Sequence, residues 1–126
     1  MSKKLIDIVM NALEEVKGKD IVTLEVSDLT DVMDTLIVAS GNSNRQVKAL
    51  ANNVIEDCKK AGFQPIGVEG MDTGEWVLVD LGDIVVHMMQ PTTREFYDLE
   101  KLWSVRPGDP NDVTENDTNQ IASNED

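Results

Sequence analysis

The chain has 126 residues, 40% of them hydrophobic and only 4% aromatic, and carries a formal net charge of −13. That length supports one domain with its own core, built mainly from Val, Ile, Leu and Met, and excludes two domains of ordinary size. So acidic a body repels phosphate backbones, and its basic patches are as short as Lys3/Lys4 and Lys59/Lys60, so DNA binding is disfavoured and a basic protein partner is favoured.

The single cysteine, Cys58, has no second thiol for a disulfide or a CxxC pair, which suits a reducing compartment. Acids interrupt the apolar positions of MSKKLIDIVMNALEEV, which defeats a signal-peptide core, and no run approaches the roughly 20 apolar residues of a membrane span. The expected location is the cytoplasm, with no membrane contact.

In chain order, Leu5, Val9, Ala12, Leu13 and Val16 form a helical stripe that Gly18 stops, with Ser2 as the expected N-cap. Ile21 to Val26 alternates and is β-branched, so it reads as a strand. The near-continuous apolar run from Thr35 to Ser40 reads as a buried one. Between them SDLTDVMD is turn chemistry. Ser43 and Gln46 make an S-x-x-Q capping box that opens a long helix with the stripe Val47, Leu50, Ala51, Val54, Ile55 and Cys58, ending near Ala61–Phe63.

Ile66 to Gly70 is a short candidate strand. WVLVD and DIVVHMM follow as two strands joined across Leu81–Gly82 in a tight hairpin. A last helix is expected from Thr92 to Ser104, burying Phe96, Leu99, Leu102 and Trp103. The order α β β α β β β α with an antiparallel hairpin predicts an α/β (α+β) fold: a mixed, roughly five-stranded sheet with helices packed on it. Residues 1–106 form the domain. Residues 107–126 hold six of the acids, no Lys or Arg, and too few apolar side chains to offset ordering entropy, so a disordered acidic tail is expected there.

The stretch EWVLVDLGDIVVHMMQ concentrates the candidate chemistry: Asp80, Asp83, Trp76 and the only histidine, His87. An enzymatic reading places Asp80 and Asp83 on a metal with His87 as proton carrier. The simpler reading makes the aspartates turn formers, whose side chains bond nearby backbone N–H groups. No second histidine is present to build a metal site, phosphate-binding glycine motifs are absent, and Cys58 lies on an apolar stripe. No catalytic residue, metal or cofactor is assigned.

Alternation favours a binding surface instead. If Leu81–Gly82 is a two-residue turn, Trp76 faces His87; if Gly82 closes a three-residue loop, Trp76 faces Val86, and sequence leaves both open. In the first case Trp76, Leu78, Asp80, Asp83, Val85, His87 and Met89 share one face. The other face, Val77, Val79, Ile84, Val86 and Met88, is wholly aliphatic and suits the core. The mixed face, with an aromatic centre and charged rim, has the make-up of a protein-binding surface.

The ordered strings TDVMDTLIVASGNSNRQVKALANNVIE, GFQPIGVEG, EWVLVDLGDIVVHMM and REFYDLEKLW resemble the Iojap family of ribosomal silencing factors, over residues 3–104. The resemblance implies a nucleotidyltransferase-like fold without that class's glycine-serine and paired-aspartate signature, hence no enzyme. It further implies a cytoplasmic repressor that binds the large ribosomal subunit through the universal large-subunit protein fourteen and blocks subunit joining when nutrients are scarce. It points to a partner surface around the hairpin, comprising Glu69, Trp76, Asp80, Leu81, Asp83, His87 and Met88, and to homodimers. The alternative is a remote nucleotidyltransferase-like enzyme using Asp80 and Asp83 on a metal. The chain departs from the family at Met33–Thr35, where TDY or TDC is usual, and at Gln46, where His is common. The tail from Pro107 is expected to lie outside the family pattern.

Overall fold

The computed structural model describes residues 4–104. The expected Ser2 cap and the expected tail lie outside them. The elements are α1 (Leu5–Glu15), β1 (Lys19–Glu25), β2 (Thr35–Ser40), α2 (Asn44–Lys60), β3 (Gly67–Glu69), β4 (Trp76–Asp80), β5 (Ile84–Met89), α3 (Pro91–Tyr97) and α4 (Leu99–Ser104). The five strands lie in the order β1-β2-β5-β4-β3; β2 and β5 are parallel and every other pair is antiparallel. This is the mixed sheet expected from the sequence.

All six residues of β2 are buried, because the strand is central and both faces around it are covered. One face carries α1 and α2: Val9, Leu13, Val47, Leu50 and Val54 meet Ile37, Ala39, Val77, Val79, Val86 and Met88. The opposite face holds a smaller cluster of Val26, Met33, Leu36, Val38 and Met89, roofed by Leu99 and Trp103 of α4 and by Trp76. The aliphatic face of the hairpin is therefore the core face, as its composition requires.

Polar side chains set the helix ends. Lys4 occupies the N-cap of α1 and makes no side-chain cap bond. At the C-terminus Lys17, not Gly18, takes the left-handed conformation (φ 62°), while the Gly18 N–H bonds back to the Leu13 carbonyl at 2.8 Å in a Schellman-type closure. The Ser43 hydroxyl caps α2 by accepting from the Gln46 N–H at 3.1 Å. Gln46 reaches one residue further back than a capping box requires, accepting from the Asn42 N–H at 2.7 Å. Its Nε2 donates to the carbonyls of Val16 and Lys17, both at 3.2 Å, and so ties the end of α1 to the start of α2. Replacing Ser43 by Ala is expected to cost about 1 kcal/mol of stability in urea denaturation; no change in midpoint would remove the cap from the account.

Three expectations need correction. The hairpin turn is Gly82–Asp83 rather than Leu81–Gly82: the Leu81 N–H bonds to the Ile84 carbonyl at 2.9 Å, and Gly82 has φ +93°, as the first central position of a II′ turn demands. Trp76 thus pairs with Met89 and Leu78 with His87. The slip of two residues preserves each side chain's face. β1 also starts earlier than expected, at Lys19, through a bulge that Asp20 (φ 49°) opens between Lys19 and Val22. The last helix is two helices, because Asp98 adopts a left-handed conformation (φ 49°) that an aspartate tolerates. Leu99 and Trp103 pack inward, whereas Phe96 is 80% and Leu102 66% exposed.

Candidate functional site

The face of the sheet opposite α1 and α2 carries Trp76, Leu78 and Asp80 from β4 beside Val85, His87 and Met89 from β5. Trp76 and His87 are diagonal neighbours across the strands, a spacing that long aromatic side chains can bridge. The indole Nε1–H donates to His87 Nδ1 at 2.9 Å. A nitrogen that accepts carries no proton, so His87 is the neutral Nε2–H tautomer. Burial lowers its pKa from 6.5 to about 4, because the protonated ring would lose its hydration among aliphatic neighbours.

The second side of the indole meets α3. The Trp76 and Tyr97 rings lie 4.7 Å apart at 46°, and Phe96 stands edge-on to Tyr97 at 5.0 Å. These rings, with Thr73, Glu75, Thr92 and Thr93, line a shallow depression of about 350 Å³. Arg94 holds α3 in place: its Nε and Nη2 form a two-pronged pair with Glu100 at 2.9 and 3.0 Å, and its Nη1 donates to Ser40 Oγ at 2.8 Å. The guanidinium hydrogen bond keeps the Glu100 carboxyl below its ordinary pKa.

The hairpin tip has a different character. Asp80 Oδ1 accepts from the Gly82 N–H at 2.9 Å, the geometry of a turn former. Leu81 and Asp83 border a hollow of about 380 Å³ whose walls include Leu5, Phe63 and Ile84 with the acids Glu25 and Asp34. The β4 strand separates Asp80, at this acidic end, from Trp76 by about 14 Å. Glu69 is exposed on β3, opposite Leu78 and on the same face as Trp76.

Of the seven residues singled out in the sequence, Glu69, Trp76, Asp80, Leu81 and Asp83 are at least partly exposed. Met88 is not: it points away from this face and is fully buried against the helices, so its place among partner contacts is corrected to the core. His87 is only 7% exposed and offers a partner little surface of its own. Among the described residues no group of three or more His, Cys, Asp or Glu could hold a metal. Burial pushes the Cys58 thiol up to about 11, which leaves it protonated and unreactive near neutrality. Tyr97, Phe96 and Asp34 were missed in the sequence. The Tyr-Asp pair at the end of a Pro-initiated segment was the signal that the helix breaks and turns its aromatics outward.

Together these features define an α/β domain with a mixed sheet, whose hairpin carries an aromatic cluster at one end and carboxylates at the other. The family model described as "Ribosomal silencing factor during starvation" matches residues 1–126, and the chain belongs to that family. The match includes the tail, which had been expected to fall outside the family pattern. "Ribosomal silencing factor RsfS" of Chromobacterium violaceum is 55% identical over 96 residues, covering 76% of this chain and 79% of the relative. A crystal structure of a Chromobacterium violaceum protein superimposes with a TM-score of 0.79 at 52% identity, covering 81% of this chain and 85% of that one. The mouse protein named "Mitochondrial assembly of ribosomal large subunit protein 1" is 35% identical over 107 residues, 82% of this chain but 47% of its own length. These silencing factors are a family of regulatory proteins. No described helix is long and apolar enough to cross a membrane.

Proposed function

We propose that the chain binds the large ribosomal subunit in the cytoplasm through the universal large-subunit protein fourteen, blocks subunit joining and so lowers translation under nutrient limitation. The observation that carries this reading is the half-buried Trp76 indole, held in a cluster of rings at the end of a mainly aliphatic strand pair. An amphipathic ring clamped at a surface depression is the typical central anchor of a protein interface. Leu81 adds an apolar contact, and Glu69, Asp80 and Asp83 are placed to meet basic side chains of a ribosomal protein. The printed name of the mouse relative, which refers to the large subunit, supports the same choice of subunit. A second copy of the chain seated on the hairpin would form a homodimer that competes with the subunit.

Co-sedimentation with purified large subunits tests the proposal. Trp76→Ala is expected to weaken binding by about 2 kcal/mol, roughly thirtyfold, and to restore joining of small subunits. If the folded variant sediments with large subunits as the parent does, the assignment is wrong.

A further inference from the structure

We propose that His87 is a positioning residue, whose Nδ1 fixes the rotation of the Trp76 indole so that the ring meets its partner in one orientation. This rests on Trp76 being the anchor for the large subunit. The hydrogen bond is diagonal, at 2.9 Å, and His87 is buried with Leu78 and Val38 opposite it on the two neighbouring strands. Tyr97 also packs against the indole, so the ring is held by both an acceptor and an aromatic neighbour.

A structural role does not account for the imidazole. Its neighbours along and across the strands are Val85, Met89, Val38 and Leu78, among which an aliphatic side chain would pack with no polar atom to desolvate. Among the described residues the ring's hydrogen bond is the one it accepts at Nδ1, and burial makes every polar atom of the ring costly to keep. A buried polar ring kept under that penalty contributes the one thing an aliphatic cannot, an acceptor for the indole. Fixing the ring before encounter removes rotamer freedom that would otherwise be lost on binding. Burial also keeps the ring neutral near pH 7, and only a neutral imidazole accepts.

Two substitutions at one position test this. His87→Leu removes the acceptor and keeps the bulk; His87→Asn places an amide oxygen where Nδ1 sits. The expected result is that the Trp76 indole N–H resonance, assigned by its loss in Trp76→Phe, moves to the position of a free indole in His87→Leu. In His87→Asn it stays hydrogen-bonded. Affinity for purified large subunits is expected to fall about tenfold in the Leu variant and to recover in the Asn variant, although the Leu variant melts no lower than the parent. A Trp76→Phe/His87→Leu double variant should bind no more weakly than Trp76→Phe alone, since the coupling is lost once. This comparison needs only Trp76→Phe and the double variant to fold. Undiminished binding by His87→Leu, with Trp76→Ala still impaired, overturns the positioning role and leaves the anchor standing. Undiminished binding by Trp76→Ala overturns both.

Discussion

Gly70→Ala is expected to destabilise the protein by about 3 kcal/mol or more, lowering the thermal midpoint by more than about 10 °C in a domain of this size. Gly70 follows β3 and has φ +90°, a conformation that side chains rarely adopt. A Cβ built there would lie 2.0 Å from the Trp76 carbonyl oxygen, 3.1 Å from its carbon and 3.3 Å from Val77 Cα. These are backbone atoms of the strand that pairs with β3, so relief requires shifting β4 itself. Gly67 is the control: it lies three residues earlier, on β3 itself, and a Cβ there meets nothing within 4 Å. Gly67→Ala should therefore be neutral or slightly stabilising. Because the displaced carbonyl belongs to Trp76, Gly70→Ala should also weaken large-subunit binding beyond the fraction unfolded. A midpoint within a degree or two of the parent would contradict the close approach.

Acid should expose the second large effect. His87 titrates at about 4 in the folded chain against 6.5 when solvated. Between those values the unfolded state binds the proton that the folded state refuses, so stability rises with pH. The contribution is complete above about 6.5 and is lost progressively as pH falls toward about 4, where it amounts to about 3 kcal/mol. Protonation would also put a second donor against the indole N–H and break the Trp76 bond. Carboxylates titrate over the lower part of the same window, so the measurement is a difference: urea unfolding of the parent and of His87→Asn from pH 7 to pH 4. The parent should lose stability more steeply, and parallel curves would remove His87 as the cause.

The sheet, the helix capped by Ser43 and the core face of the hairpin were legible because each rests on a short-range rule. Alternation fixes faces, and a serine three residues before a glutamine fixes a helix start. The hairpin register was not legible, since Leu81–Gly82 and Gly82–Asp83 both give two-residue turns with the same faces. The Trp76–His87 bond depends on that register: with Met89 opposite Trp76, His87 becomes the diagonal neighbour. The aromatic cluster was hidden for a different reason. Phe96, Leu99, Leu102 and Trp103 follow helical spacing, and only the left-handed Asp98 between the first two turns Phe96 and Tyr97 to the surface. Met88 is a plainer case, because its parity already places it with Val86 and Ile84 in the core.

The strand order also governs how the molecule is made. The central pair joins Thr35 to Ile84 and Ser40 to Met89, so its two strands are 49 residues apart in the chain. Local contacts, the β4–β5 hairpin above all, reward the chain early, whereas the parallel pair must first close that long loop. During synthesis β2 can pair with β1 at once, but its other edge waits until β5 has left the exit tunnel. The proposed partner surface straddles the last strands to arrive, so on that reading the surface is complete only once the chain is nearly finished.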